Sequence, residues 1–221
     1  MNSTDSAPNV HSIQKAILER ICLLDYKAGQ PLKEADIATE FNVSRTPVRD
    51  ALSRIAHLEL IEARNGVGTV VKQLSNAKID DVYQTRLRLA PMIGEMSVTV
   101  IGQTEKIAIN NLLSRAQLLT PDDNVRQYIQ INHDLHQVIS GLISNSVLRS
   151  FWRQTYFQAA SIWYRITDMT AKETLPLLVN ELSELVQALE NNDLVAVGHI
   201  QRVYIGYGYA RIQHHLFMDK N

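Results

Sequence analysis

The sequence predicts a mainly α-helical protein in two parts: three short helices closed by a β-hairpin, then a longer bundle of helices alone. Three observations carry that expectation. Apolar residues recur at helical spacing over most of the 221-residue chain. Two β-type runs, Leu60-Ile61-Glu62-Ala63 and Thr69-Val70-Val71-Lys72, flank the glycine-containing turn Arg64-Asn65-Gly66-Val67-Gly68. Beyond Gln73-Leu74-Ser75-Asn76 β-type alternation disappears and helical periodicity persists almost to the end. The expected domains are residues 9–74 and 77–218.

In the first domain, Val10, Ile13, Ile17, Ile21 and Leu24 predict a helix over residues 9–24, followed by turn chemistry at Asp25 to Pro31. Lys33 to Phe41 forms a second helix, Asn42-Val43 a tight turn, and Ser44 opens the third helix as its N-cap. Pro47 is tolerated there because first-turn N–H groups have no intrahelical partners. Leu32, Ile37, Ala38, Val43, Val48, Leu52, Ile55, Leu58 and Leu60 are expected to form a small core. Helix, turn, capped helix and hairpin together read as a winged helix-turn-helix.

The third helix carries the chemistry. Val48, Ala51, Leu52 and Ile55 share one flank, while Arg45, Thr46, Arg49 and Ser53 share the opposite one. A basic, hydroxyl-bearing front at a helix N-terminus suits the major groove of double-stranded DNA. Taken alone, each feature has an ordinary explanation: a solvated arginine pair, a helix start, a turn. Their joint occurrence in this order favours DNA.

Composition is compatible with that reading. The net charge of −1 excludes a broadly basic nucleic-acid coat, so affinity must come from local placement and from two copies on one DNA. The single cysteine, Cys22, cannot form an internal disulfide and suits a reducing cytoplasm. Met1 to Val10 lacks the apolar core of a signal peptide, and no apolar run approaches a bilayer span. A cytoplasmic protein with no membrane partner is expected.

Six helices are expected in the second domain, at residues 77–101, 104–119, 122–143, 146–168, 172–190 and 193–216. Thr120-Pro121-Asp122-Asp123 carries a helix-start signature, Asn191-Asn192-Asp193 separates the last pair, and Pro91 should kink the first helix.

With these motifs in view, the chain resembles the GntR family of bacterial transcription regulators. Glu34 to Ala38, Phe41 to Leu52 and Gly66 to Val70 match its DNA-binding domain, with Ala28-Gly29 where Pro-Gly is usual. The resemblance implies operator contacts by Ser44, Arg45, Thr46 and Arg49 and by the wing at Asn65 and Gly66, with Arg20 as a further candidate. Val82 to Pro91, Asn132 to His136, Ser144 to Leu148 and Leu185 to Leu189 resemble the family's FCD ligand-binding domain of the shorter, six-helix type, with Ala90 replacing a usual glutamate. The implied whole is a winged helix-turn-helix followed by an all-α effector-binding and dimerisation domain.

Many FCD domains hold a divalent metal through one Asp or Asn and three His. The matching positions here are Asn132, His136, Leu182 and Tyr204. Leucine cannot ligate and neutral tyrosine is a poor ligand, so no metal cofactor is expected. His199 is about 140° around the helix from Tyr204 and does not substitute, and His214 and His215 read as solvated. The pocket expected instead is lined by Arg86, Asn132, His136 and Tyr204 and takes a small organic acid, its carboxylate gripped by arginine. The competing expectation pairs Asn132 with His136 in a packed core and puts Arg86 in an internal salt bridge. Trp152, Tyr156, Trp163 and Tyr164 are expected in core or interface rather than against a ligand. Gly206 and Gly208, between Tyr204, Tyr207 and Tyr209, suggest close helix approach or a bend.

The function expected is sequence-specific repression by a homodimer on a palindromic operator, modulated by the effector. The alternatives are a regulator that senses nothing, its cavity filled by Leu182 and neighbours, and an enzyme using His133, Asp134 and His136. Against the enzyme stand the lack of a phosphate-binding glycine loop and of a second ligand cluster.

Overall fold

The computed structural model describes residues 8–97, 100–120, 125–163 and 167–217. The chain divides after Leu74 into two compact units.

The first unit contains α1 (Val10–Cys22), α2 (Glu34–Glu40), α3 (Arg45–Ala56), β1 (Ile61–Arg64) and β2 (Gly68–Val71). Asn9 caps α1 by accepting the Ser12 N–H at 2.9 Å. The apolar stripes of α1 and α3 face each other, burying Ile13, Ile17, Ile21, Val48, Ala51, Leu52 and Ile55. Cys22 is fully buried with them, and burial pushes its thiol well above the ordinary range. Of the expected core, Val43 and Leu58 remain half-exposed; both sit at helix ends, where the chain turns outward.

β1 and β2 pair antiparallel with Ile61 opposite Val71 and Arg64 opposite Gly68. Gly66 at φ 76° and Gly68 at φ 95° supply the left-handed backbone that the turn needs. The wing is broader than a hairpin. Pro31 bridges to Val70, and Leu32 N–H donates to Thr69 at 2.8 Å, so part of the expected turn after α1 is recruited to the edge of β2.

The second unit contains α4 (Asn76–Met96), α5 (Gln103–Gln117), α6 (Val125–Leu142), α7 (Ser146–Trp163), α8 (Thr167–Glu190) and α9 (Leu194–Ile212), followed by a π-helical turn at Gln213–Phe217. α4 stops at Met96, five residues before the expected end, because Ser97 turns extended at the start of a β-branched stretch. α8 begins at Thr167 rather than at 172 and continues through Pro176. The helix start expected at residues 120–123 falls almost wholly outside the described residues.

α4 lies against α7 and, more extensively, against α9. Two glycines set the α4–α9 approach. A Cβ on Gly94 would lie 2.4 Å from the Val195 Cα, and one on Gly198 would lie 2.7 Å from the Ala90 carbonyl oxygen. The close approach expected near Gly206 and Gly208 lies instead at Gly94 and Gly198, and a Cβ on Gly206 would meet only the tip of Leu87 at 3.8 Å. Pro91, inside α4, lies in this contact.

Gly94→Ala and Gly198→Ala should each destabilise the helical unit by about 1–3 kcal/mol through backbone collision. Gly141→Ala, whose Cβ would meet nothing within 4 Å, should be neutral or stabilising. Chemical denaturation of the three variants checks the ranking.

Candidate nucleic-acid interface and effector cavity

At the N-terminus of α3 the backbone of Ser44 is extended, as an N-cap requires, yet its hydroxyl makes no capping bond. The residue three positions on is Pro47, which has no N–H to offer. The expected hydroxyl cap is therefore absent, for a local chemical reason. Ser44, Arg45, Thr46 and Arg49 are all exposed, as are Asn65 and Gly66 at the wing tip.

Arg45 has no hydrogen bond or ion pair among the described residues, whereas Arg49 is held. Its Nη2 and Nε reach the Glu34 carboxylate at 2.9 and 3.2 Å, with the side chain 67% exposed. That hydrogen bond holds the Glu34 carboxyl below the usual range. Arg20 has a different environment. It pairs with Glu40, donates to the Tyr26 hydroxyl at 2.9 Å and lies over the Tyr26 and Phe41 rings. Its guanidinium ties α1 to α2 instead of standing free on the surface.

In the helical unit, Arg86, Asn132, His136 and Tyr204 come together on the wall of one cavity of about 120 Å³. A single water needs only about 10–15 Å³ by this kind of measure, so a small metabolite fits. Arg86 is buried on α4, its guanidinium 4.7 Å from the Trp152 ring centre and 5.7 Å from that of Tyr156. His136 stacks on Tyr156 at 3.6 Å between ring centres, with Nε2 at 3.3 Å from the Ser140 hydroxyl. Burial, reinforced by Arg86, lowers its pKa well below 6.5, so the imidazole is neutral at physiological pH.

The Asn132–His136 hydrogen bond of the competing expectation does not form. Asn132 donates to the Tyr128 carbonyl at 2.9 Å instead. Tyr204 donates to Glu184 at 2.9 Å. Trp152 and Tyr156 are buried as expected, but they also line the cavity, against expectation. Tyr164 and the side chain of Trp163 lie outside the described residues. Leu182 is fully buried and does not line the cavity. Among the described residues no three His, Cys, Asp or Glu side chains cluster as a metal site would require.

Among the cavity residues not anticipated from sequence are Glu181 and Gln201. Gln201 donates to Glu181 Oε1 at 2.8 Å, and burial raises the Glu181 pKa to about 7 against the opposing pull of Gln201 and Arg86. The signal was present: Glu181 interrupts the apolar stripe Leu178, Leu182, Leu185, Leu189. An acid on that side of an otherwise greasy helix marks a polar lining.

An exposed basic helix start and a glycine-bearing wing in one unit, followed in the chain by a helical unit whose cavity carries polar groups on its wall, define the winged-helix regulators with an appended sensor-type domain. The chain belongs to the GntR family of bacterial regulatory proteins. That family's model matches residues 9–71, and the FCD domain model matches residues 81–206. This family comprises regulators rather than enzymes.

The HTH-type transcriptional repressor RspR of Escherichia coli K12 is 23% identical over 112 residues, 51% of this chain and 49% of that protein. The gluconate operon transcriptional repressor of Bacillus subtilis 168 is 28% identical over 126 residues, 57% of this chain and 51% of that protein. This chain thus spans about half the length of these curated relatives in alignment. The fold is also that of E. coli McbR/YncC, with a TM-score of 0.75 at 17% identity over 91% of this chain and 97% of that one. Among the described residues no helix is long and apolar enough to cross a membrane.

Because the Glu181 pKa is higher in the fold than the ordinary 4.5, its burial costs stability increasingly as pH rises from 4.5 to about 7. Glu181→Gln should remove that slope and leave the variant the more thermostable protein above neutral pH. Thermal melts at acid and alkaline pH check this.

Proposed function

We propose that this protein is a cytoplasmic, sequence-specific transcription repressor. It binds a palindromic operator as a homodimer and is modulated by a small organic acid in the helical cavity. The observation that carries the DNA assignment is the exposed start of α3, with Arg45 and Arg49 at the surface, together with an exposed Asn65-Gly66 wing tip in the same unit. Arginine reads guanine bidentately in the major groove, and twofold protein symmetry calls for paired half-sites. Both relatives described above bear the name repressor, which supports the sign of regulation.

The effector assignment rests on a cavity that Leu182 does not fill and on a buried arginine at its wall. A cavity closed by Leu182 would have favoured a regulator that senses nothing. The effector can alter operator affinity only by binding the DNA-competent and DNA-incompetent forms unequally.

The test is selection of binding sites from randomised duplexes, followed by titration of the selected site. Wild-type protein should enrich a palindrome. Arg45→Ala and Arg49→Ala should each weaken that site by about 5-fold to 150-fold, equivalent to roughly 1–3 kcal/mol per lost base contact, while the protein stays folded. Full-strength binding by both variants at matched salt would refute the interface.

A further inference from the structure

The cavity wall carries charges of both signs. Arg86 on α4 is buried behind Trp152 and Tyr156, and Glu181 on α8 is the only acidic side chain lining the same space among the described residues. Gln201 occupies one oxygen of Glu181; the other makes no hydrogen bond among the described residues. Two further wall atoms, Nε1 of Trp152 and Nδ1 of His136, are buried without a hydrogen-bond partner. Orphaned polar atoms are costly in a folded interior unless something else engages them.

A plain carboxylate satisfies only part of this wall. It would pair with Arg86 while placing a second negative charge in the confined space that holds Glu181, and like charges at close range repel. A ligand carrying a cation beside its carboxylate removes that conflict. We infer that the effector is a small zwitterion of the amino-acid class, its carboxylate on Arg86 and its ammonium on Glu181. This rests on the effector reading of the same cavity and narrows the ligand class. Trp152, Tyr156 and Leu178 leave apolar surface for a side chain.

The charged and titratable groups that share the cavity with Glu181 or act on it are Tyr83 and Arg86 on α4, Tyr128 and His136 on α6, Tyr156 on α7, Glu184 on α8, and Tyr204, Tyr207 and Arg211 on α9. His136 is neutral, so Glu181 is the group whose proton must leave when an ammonium binds. Ammonium binding should therefore strengthen as pH rises through neutrality, and plain carboxylate binding should weaken.

The experiment is calorimetric titration of the full chain with matched pairs: alanine and propionate, leucine and isocaproate, phenylalanine and hydrocinnamate, glutamate and glutarate. At least one amino acid should bind about tenfold tighter than its deaminated partner, with affinity rising roughly tenfold between about pH 6 and about pH 8. Glu181→Gln, verified as folded by circular dichroism, should bring that pair close to equality. Deaminated acids binding equally or better, or a preference that survives Glu181→Gln, would overturn the zwitterion while leaving organic-acid sensing in place. Binding by neither series would overturn both.

Discussion

The helical unit depends on the backbone contact between α4 and α9. Helices normally stand 8–10 Å apart because side chains hold them off. Here Gly94 meets Val195, and Gly198 meets Ala90 and Pro91, with no room for a Cβ between them. The contact fixes how far apart the next turns of both helices lie. Arg86 sits two turns along α4 from Gly94, and Gln201 and Tyr204 one and two turns along α9 from Gly198. Tyr83 stacks on Tyr209 across the same helix pair at 5.2 Å, and the Tyr209 hydroxyl reaches Asp80. The cavity lies alongside this seam, so its polar lining is positioned by close backbone packing between α4 and α9.

The first unit is organised around an ionic clasp as well as a greasy core. Arg20, Glu40, Tyr26 and Phe41 join the end of α1 to the end of α2. α2 in turn carries Glu34, which holds Arg49 on the face of α3. An arginine on an exposed helix otherwise samples many rotamers, so a carboxylate partner narrows the positions its guanidinium occupies.

The winged-helix unit could be read almost entirely from sequence because its signals are local. Caps, turn glycines and apolar stripes act within a few residues of one another, and the family motif falls on the same positions. The helical unit was readable as helices but not at every boundary. The end of α4 and the start of α8 shifted because β-branched residues and Pro176 carry weak, ambiguous punctuation. Four cavity residues were anticipated and all four line one space, but their partners were not. Asn132 bonds within its own helix rather than to His136, and Tyr204 reaches Glu184. Glu181 was not legible as a lining residue because the family's ligand position falls on its neighbour Leu182, which is buried in packed core and does not line the cavity.

The chain's one sulfhydryl also has a practical use. Cys22 is sealed in the core of the winged-helix unit and kept protonated by its surroundings. An alkylating reagent reacts with thiolate, so modification must wait until α1 parts from α3. Cys22 therefore times the opening of that unit without any engineered label. The helical unit contributes no background to the signal.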